Sequence, residues 1–358
     1  MMSSAQHSPP WKLPGGLPET RPLREDLRTD VCVVGAGIAG LSTAYHLAKS
    51  GRSVVVLDRG PIGRGETGRT TAHLSNALDD RYRELERLFG QEGARQAAQS
   101  HTAAIDRIEA IVAAEGIDCG FERLDGYLFP PPGGSTGEID EELDAARRAG
   151  LTGVERLPRA PLPTFDTGPC LRFPRQGQFD PLPYLAGLAR AVQRDGGRLF
   201  TGTPVVRVES GCGPRVRTEA GFTVQAAAVV LATDTPIADD LIPDIIQAAY
   251  RTYAIAGRVP RGTVPRALYW DTLDPYHYVR LAGDSGNGEL LVVGGEDHRT
   301  GQEQEREDDG EERFRRLESW ARERFPLGEV EHRWSGQVLE PVDSLGFIGP
   351  APTSGPDI

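Results

Sequence analysis

The stretch TDVCVVGAGIAGLSTAYHLAKSGRSVVVLDRG, residues 29–60, constrains the fold more than any other part of this chain. Val31–Val34 is a short apolar run, typical of a buried strand. Ile38–Ser50 carries apolar residues at helical spacing, and Gly51 follows it in a position that tolerates a left-handed backbone. Ser53–Leu57 is a second apolar run. The segment therefore predicts a strand, a glycine-rich turn, a helix and another buried strand.

The turn has the pattern G-x-G-x-x-G, made by Gly35, Ala36, Gly37, Ile38, Ala39 and Gly40. The first glycine permits a tight turn, the second lets the backbone approach a pyrophosphate, and the third lets helix and strand pack closely. The helix N-terminus adds unpaired N–H groups and partial positive charge. Asp58 ends the second strand, where a carboxylate can bind ribose hydroxyls and would repel a 2′-phosphate. The pattern predicts a dinucleotide site for FAD or NAD rather than NADP.

The next loop, GPIGRGETGRTTAHLSN at residues 60–76, favours FAD. A loop rich in Gly, Thr and Arg directly after the acidic residue can follow a pyrophosphate and reach a flavin, although it also suits a mobile surface loop. Hydroxyl and guanidinium groups suit such a contact, so we take Arg69, Thr70 and Thr71 as candidates. The later segments DPLPY, RLFTGTPVVRVES and AAAVVLATDTPI favour FAD further.

Together these segments resemble the FAD-dependent D-amino-acid oxidase superfamily over residues 28–349, with the glycine oxidase and γ-glutamylputrescine oxidase branches nearest. The resemblance implies that the Val205 backbone contacts adenine and that Ala232 and Thr233 lie near the cofactor. Arg59, next to Asp58, is a further candidate FAD contact. The phrases GETGRTTAHL, YWDTLDPYHYVR, VGGEDHRTG and WSGQVLEPVDSLGFIG resemble a bacterial subgroup whose flavoprotein is often followed by a Rieske iron–sulfur domain. The paired Cys/His motifs of that domain are missing from this sequence.

The resemblance also carries an expectation about the C-terminus. Members of the family continue after the F-I-G segment with a strand, a Gly-rich turn and a helix whose N-terminus faces the flavin. This sequence ends at Ile358. We therefore expect an incomplete chain that binds flavin less securely than a longer form. A non-catalytic FAD-binding fragment stays open as an alternative to an enzyme.

The fold class that follows is α/β. A Rossmann-like FAD-binding domain of the GR2 type is interleaved with an α+β substrate domain built on a mostly antiparallel sheet. Helical patterns at 80–116, 139–150 and 184–195 precede a run of short strands from residue 198 onward, and a further helical pattern covers 304–325. The expected division is an N-terminal tail at 1–27 that Trp11 and Leu13 dock, an FAD-binding domain at 28–80, 175–240 and 336–358, and a substrate domain at 81–174 and 241–335.

Composition excludes several other classes of protein. The formal net charge is -12, and no Lys/Arg cluster indicates nucleic-acid binding. No apolar stretch reaches the ~18 residues of a membrane span, and the N-terminus lacks a secretory pattern. The four cysteines stand far apart without metal-ligand spacing, so we expect no metal and a reduced, cytoplasmic protein.

The candidate catalytic residues lie in the segment YHYVR. Tyr276, Tyr278 and Arg280 alternate along a predicted strand, so their side chains share one face. In amino-acid-oxidising relatives an arginine at this position holds the substrate carboxylate, and its planar fork suits that role. Core packing of the tyrosines and a surface ion pair of the arginine remain the alternatives. His277 points to the opposite face and is expected to be structural.

The function that follows is oxidation of the C–N bond of an amine or amino acid to an imine, by hydride transfer to FAD. Such chemistry needs orientation of a small-molecule substrate more than acid–base groups. Oxygen or an electron carrier would accept the electrons. His73 and His298 are more simply read as structural histidines. An NAD-dependent dehydrogenase is disfavoured by the FAD-like segments.

Overall fold

The computed structural model describes residues 7–13, 15–134, 136–211, 213–234, 247–285, 288–300, 309–346 and 348–349. Some features considered above fall wholly or partly on other positions: Cys212, residues 235–237 of AAAVVLATDTPI, residues 304–308 of the last helical pattern, Phe347, and the C-terminal residues 350–358. They lie outside the described residues.

The strands, in chain order, are β1 (Leu27–Val34), β2 (Val54–Leu57), β3 (His73–Leu74), β4 (Glu122–Phe129), β5 (Glu155–Leu157), β6 (Cys170–Gln178), β7 (Arg198–Phe200), β8 (Val205–Glu209), β9 (Arg215–Thr218), β10 (Thr223–Leu231), β11 (Gln247–Val259), β12 (Leu268–Asp271), β13 (His277–Ser285), β14 (Gly288–Arg299) and β15 (Val330–Pro341). The helices are α1 (Ile38–Lys49), α2 (Tyr82–Glu115), α3 (Gly137–Arg148), α4 (Pro181–Arg194) and α5 (Asp309–Arg324). A 3₁₀ turn, Glu66–Gly68, follows β2.

One sheet has six strands in the order β7-β2-β1-β10-β9-β8. Val31–Val34 of β1 pair in parallel with Val54–Leu57 on one side and with Ala228–Leu231 on the other. These residues are buried because apolar side chains cover both faces of the sheet. α1 and α4 supply one of those layers, with Leu41 and Leu188 fully buried in it. Residues 223–231, among the strands expected from residue 198 onward, form one strand, β10.

The other sheet has nine strands. Eight run in the order β15-β11-β14-β13-β12-β4-β6-β3, and β5 pairs with β6. Every pairing except that of β12 with β4 is antiparallel, which confirms the expected mostly antiparallel sheet. One face carries α5, whose Phe314 and Leu317 pack against Tyr253 and Ile255 of β11. The opposite face turns toward the six-stranded sheet and carries the cleft described below.

Two central strands of this sheet, β4 and β6, were not predicted from the sequence. β4 reads ERLDGYLF, a mixture of charged and apolar residues, and β6 contains Pro174 and Gly177. Such residues weaken a strand pattern, so only the neighbouring strands identify these segments as part of the sheet. Gly126 has a packing role, because an added Cβ would lie 2.3 Å from the Trp270 ring.

The expected domain boundaries at 174/175 and 335/336 each fall inside a strand. β6 continues through the first and β15 through the second, and both strands belong to the nine-stranded sheet. β3, which was assigned to the FAD-binding part, pairs with β6. Continuous strand pairing therefore moves these segments to the nine-stranded sheet. Residues 223–231, in contrast, do lie beside β1.

Helix α2 begins at Tyr82, two residues after its expected start, and is kinked at Gly90. Gly90 has φ 68° and ψ 176°, a conformation that glycine adopts without a Cβ penalty. Among the helices that the structure describes, none is long and apolar enough to cross a membrane.

Candidate active site and cofactor cleft

The glycine turn between β1 and α1 is closed tightly against β10. Gly35 has φ 111°, and an added Cβ there would lie 2.3 Å from the Ala232 carbonyl oxygen. At Gly40, an added Cβ would lie 1.9 Å from the Gly35 carbonyl oxygen. A side chain at either position would force the strand and helix apart. An added Cβ at Gly37 would lie 3.1 Å from Thr67 Oγ1, so the turn also lies close to the following loop.

Asp58 organises the adenosine end of the site. Its carboxylate accepts hydrogen bonds from the Ala36 N–H, at 2.7 Å, and from the Gly60 N–H, at 2.8 Å. Its carbonyl accepts the Thr203 N–H at 2.8 Å, which brings the approach to Val205 alongside the end of β2. The carboxylate is half-buried and therefore also open to a ligand.

The remaining predicted nucleotide contacts converge on the same edge of the sheet. The Ala232 N–H donates to the Val34 carbonyl at 2.8 Å, so Ala232 and Thr233 directly adjoin the glycine turn. Burial raises the pKa of the Asp234 carboxyl, and the nearby Arg59 charge opposes that rise. The structure thus brings together the predicted residues of the turn, Asp58, Arg59, Ala232 and Thr233.

These residues fit the adenosine and pyrophosphate groups of FAD. The glycines let the turn lie close against β10 and the following loop, and the Ile38 N–H at the start of α1 donates to Thr67 Oγ1 at 3.1 Å. A helix N-terminus, a glycine-lined approach and a carboxylate at the strand end are the donor and acceptor groups that a dinucleotide requires. Among the described residues, no group of His, Cys, Asp and Glu side chains is arranged to hold a metal ion.

The loop from Glu66 to Thr71 joins the two sheets, a feature that the sequence did not reveal. Glu66 Oε2 accepts the Gln337 N–H at 2.7 Å, and Arg69 Nη1 donates to the Ser335 carbonyl at 2.9 Å. In return, the Trp334 indole N–H donates to the Arg69 carbonyl at 2.7 Å. The predicted FAD contact Arg69 is therefore fixed to β15 as well as lining the cleft.

A cleft of about 480 Å³ lies between this loop and the nine-stranded sheet. Its wall includes Glu66, Arg69, Thr70, Thr71, His73, Asp79, Thr252, Trp270, Tyr276, Tyr278 and Trp334. The Tyr276 hydroxyl donates to Asp79 at 3.0 Å, and the Tyr278 hydroxyl lies 3.0 Å from Thr252 Oγ1. The two tyrosine rings are 5.7 Å apart. The structure thus brings the two predicted tyrosines together with the predicted FAD contacts Arg69, Thr70 and Thr71.

A second chamber of about 590 Å³ shares Asp79, Tyr276 and Val338 with the first. Carboxylates dominate its wall: Asp79, Asp80, Glu138, Glu142, Asp274, Asp297 and Glu340, beside Arg81 and Arg83. Burial raises the pKa of Asp297 to about 6. Burial also raises the pKa of Glu340 to about 6, with the charges of neighbouring carboxylates adding to the effect. Burial disfavours the charged form of a carboxylate, and neighbouring negative charges disfavour it further.

The structure does not place Arg280 on the wall of either chamber. Its side chain is only 1% exposed, and its guanidinium lies under the Trp11 ring, 4.9 Å from the ring centroid. Nη2 donates to the Phe179 carbonyl at 3.2 Å and is 3.8 Å from Asp180. The prediction that Arg280 anchors a substrate in the cleft therefore does not fit its position. Arg280 does share a strand face with Tyr276 and Tyr278, but Trp11 of the N-terminal segment covers this face at Arg280.

The three histidines considered in the sequence differ in their surroundings. His73 lines the cleft, where burial and the nearby Arg280 charge lower its pKa to about 3 and keep the ring neutral. His277 lies on the opposite face, 2.9 Å from Asp271 and stacked on Trp320. His298 stacks on Tyr253.

The glycine turn, the carboxylate at the strand end and a cleft between two sheets define a dinucleotide-binding class of protein. Residues 30–357 match the family described as FAD dependent oxidoreductase, and the chain belongs to that family. The cofactor of this family is FAD.

Three known proteins show the extent of the similarity. The putative Rieske 2Fe-2S iron-sulfur protein YhfW of Bacillus subtilis (strain 168) is 29% identical over 346 residues, 95% of this chain and 65% of that protein. Gamma-glutamylputrescine oxidoreductase of Escherichia coli (strain K12) is 29% identical over 228 residues, 62% of this chain and 53% of that protein. Glycine oxidase from Geobacillus kaustophilus shares the fold, with a TM-score of 0.72 at 22% identity over 91% of this chain and 87% of that one. The chain thus spans less than two thirds of the first two relatives.

Proposed function

We propose that this protein oxidises the C–N bond of an amine to an imine, with FAD as the acceptor of the hydride. The observation that carries the proposal is the cleft, which places two tyrosines and Asp79 beside the predicted FAD contacts Thr70 and Thr71 and adjoins a chamber lined by carboxylates. FAD supplies the redox chemistry when it is bound, and water would then hydrolyse the imine. The six-stranded sheet would hold the cofactor and the nine-stranded sheet would form the substrate side.

The charge of the cleft favours a cationic amine over an amino acid as the substrate. Asp297 and Glu340, in the chamber that adjoins the cleft, have raised pKa values. Burial also raises the pKa of Asp79, which the nearby Arg81 charge only partly offsets, and Asp79 accepts a hydrogen bond from the Tyr276 hydroxyl. A substrate ammonium group would supply the missing positive charge. A substrate carboxylate would meet repulsion there, and Arg280, the expected carboxylate ligand, lies elsewhere under Trp11. Gamma-glutamylputrescine oxidoreductase, similar to 62% of this chain, is named for an amine-containing substrate.

The side chains of the cleft would act mainly by orientation. Tyr276 and Tyr278 present aromatic faces that attract an ammonium group and hydroxyls that can accept or donate a hydrogen bond. Neutral His73 gives the cleft wall a polar surface without adding positive charge. Arg69, Thr70 and Thr71 would contact the cofactor. Oxygen or an electron carrier would reoxidise the flavin. The described cysteines Cys32, Cys119 and Cys170 are free and buried, which favours a reducing compartment such as the cytoplasm.

Anaerobic mixing tests the proposal. FAD-loaded protein is mixed with putrescine, spermidine, butylamine, glycine or D-alanine, and loss of the visible flavin absorbance is followed. We expect the diamine and the polyamine to bleach the flavin fastest and the two amino acids slowest. Bleaching by the amino acids alone would contradict the assignment of a cationic amine. Bound FAD that no compound reduces would favour a non-catalytic FAD-binding module.

A further inference from the structure

A short loop between β3 and α2 forms one wall of the cleft. We call residues 75–79 the cleft-wall loop. Ser75 and Asp79, at its two ends, both line the cleft, and Asp79 also lines the second chamber. The loop contains neither helix nor strand, so no regular ladder of backbone hydrogen bonds fixes its shape. Other parts of the chain must therefore hold it.

A buried pair of amide side chains, those of Asn76 and Gln176, holds the cleft-wall loop. The Gln176 side chain is 0% exposed. Its Oε1 accepts hydrogen bonds from the Asn76 N–H and from the Ser75 hydroxyl, both at 2.8 Å. Its Nε2 donates to Asn76 Oδ1 at 2.8 Å and to the Pro174 carbonyl at 2.9 Å. Both lone pairs and both N–H groups of the Gln176 amide are thus in use, and three of its four hydrogen bonds go to the loop.

Asn76 extends this network to helix α2, behind the loop. Its Nδ2 donates to Thr102 Oγ1 at 2.9 Å, and its carbonyl accepts the Tyr82 hydroxyl at 2.5 Å. At the other end of the loop, Asp79 accepts the Tyr276 hydroxyl. A buried polar network whose members all have partners favours a single arrangement of the chain. The network therefore fixes the loop that presents Asp79 to the cleft.

The backbone of β6 is distorted directly before Gln176. Arg175 has φ 59°, in the left-handed region that residues with a Cβ seldom adopt. Leu124 of β4 pairs with Gln176. Two residues further along β4, Gly126 pairs with Phe173, three residues from Gln176, so β6 contains an extra residue, a β-bulge. Bulges re-aim side chains beside functional sites, and a strained residue persists only where its surroundings hold it.

We propose that Gln176 is a positioning residue: together with Asn76 it fixes the cleft-wall loop before a substrate binds, and so sets where Asp79 meets the substrate amine. This inference rests on the proposed oxidation of a cationic amine, and it adds that the wall is preformed. A loop that is already ordered loses less conformational entropy when a ligand binds. Gln176 itself lines neither chamber, so its effect on a substrate must pass through the loop.

Hydrogen exchange tests the positioning without any amine. Gln176→Met keeps an unbranched side chain but removes the four hydrogen bonds of the amide. In FAD-loaded protein, it should speed exchange of the Asn76 and Ala77 N–H groups by about tenfold or more, because the first donates to Gln176 and the second to Ser75 Oγ. Gln178→Met is the matched control. Gln178 is buried on the same strand, but its amide donates to Glu122, so loop exchange should not change.

Steady-state kinetics with an amine that bleaches the flavin test the consequence for the substrate. Gln176→Met should raise KM about tenfold, while kcat and FAD affinity stay within about twofold of wild type. In an Asp79→Asn background, the same change should raise KM by less than about twofold, because Gln176 acts through Asp79. Thr102→Val removes a single hydrogen bond of the network and should raise KM by about twofold to threefold, a test that holds even if Gln176→Met folds poorly.

Three results would overturn the proposal: unchanged loop exchange in Gln176→Met, equal KM changes in Gln176→Met and Gln178→Met, or the full rise in KM in the Asp79→Asn background. A loss of stability alone would affect both glutamine variants without this pattern. Faster loop exchange in a protein whose flavin no amine reduces would support the positioning of the loop and contradict the proposed amine oxidation instead.

Discussion

The nucleotide end and the substrate end of the cleft differ in how the chain forms them. At the nucleotide end, backbone and glycine positions within about thirty consecutive residues set the shape, and Asp58 accepts two N–H groups of its own neighbourhood. At the substrate end, side chains from α2's leading loop, β11, β13, β14 and β15 meet across the nine-stranded sheet. The nucleotide end therefore depends on glycines that carry no side chain. The substrate end depends on side chains that distant parts of the chain bring together. Substitutions at the nucleotide end should therefore weaken FAD binding, and substitutions at the substrate end should weaken amine binding.

The largest effect should come from the glycine turn. Gly40→Ala places a Cβ 1.9 Å from the Gly35 carbonyl oxygen, which a rigid strand–helix junction cannot absorb. We expect almost no bound FAD and a loss of about 3 kcal/mol in the free energy of unfolding. Bound flavin absorbance and denaturant unfolding measure the two effects. Gly65→Ala is the control, since an added Cβ there meets nothing within 4 Å. Equal FAD binding and equal stability of the Gly40→Ala and Gly65→Ala variants would contradict the steric explanation.

The next largest effect should come from Asp58→Ala. The change removes a carboxylate that accepts the Ala36 and Gly60 N–H groups and that we expect to bind the ribose. A lost charge-assisted hydrogen bond costs about 1.5–3 kcal/mol, so FAD should bind ~10–100-fold more weakly. Fluorescence titration of FAD measures this. Asp58→Asn keeps an acceptor oxygen and should lose less. An unaltered FAD affinity in the alanine variant would show that the ribose does not use this residue.

The contrast between the two ends also explains which parts of the fold could be predicted from the sequence. At the nucleotide end, the strand, turn, helix and acidic residue are local, so periodicity and glycine spacing predicted them within a few residues. The strands β4 and β6 were not predicted because Gly126, Pro174 and Gly177 interrupt their apolar patterns. Only pairing with distant strands makes them part of the sheet. Local pattern carries no information about such partners.

The substrate end shows the same limit at the level of single side chains. Alternation along YHYVR correctly put Tyr276 and Tyr278 on the cleft and His277 on the other face. It could not show that Trp11, far away in the sequence, covers Arg280. Nor could it show that Glu66 and Arg69 bind β15. Docking of the tail through Trp11 was expected, but its position over Arg280 required the fold.

A smaller effect, confined to the substrate end, is expected for Tyr276→Phe. The change removes the hydroxyl that donates to Asp79 at 3.0 Å. Losing this hydrogen bond costs about 0.5–1.5 kcal/mol, so KM for a reactive amine should rise by up to ~10-fold while FAD affinity stays constant. Tyr269→Phe is the matched control, because its hydroxyl donates to the Pro265 carbonyl at 3.0 Å away from the cleft. Weaker FAD binding in Tyr276→Phe would contradict the expectation that Tyr276 affects substrate binding alone.

The smallest effect, and the most specific to the charge of the substrate end, should be the pH dependence of Asp297→Asn. Burial raises the pKa of Asp297 in the folded protein to about 6 from an ordinary value of 3.8. Between these two pH values the folded state binds more protons than the unfolded state, so this group stabilises the fold as pH falls and costs stability above pH 6. Asparagine removes that cost, and the variant should be more stable than wild type at pH 8 by about 1 kcal/mol, with no advantage at pH 4. Unfolding of both proteins at the two pH values measures the difference, and the exposed Asp118→Asn should show none.

The Asp297→Asn variant should also bind a cationic amine less well. The Asp297 carboxylate, which destabilises the fold when it is charged, is one that a substrate ammonium group would neutralise. A gain in stability without a loss in amine binding would separate the two roles and leave the raised pKa as a packing effect alone.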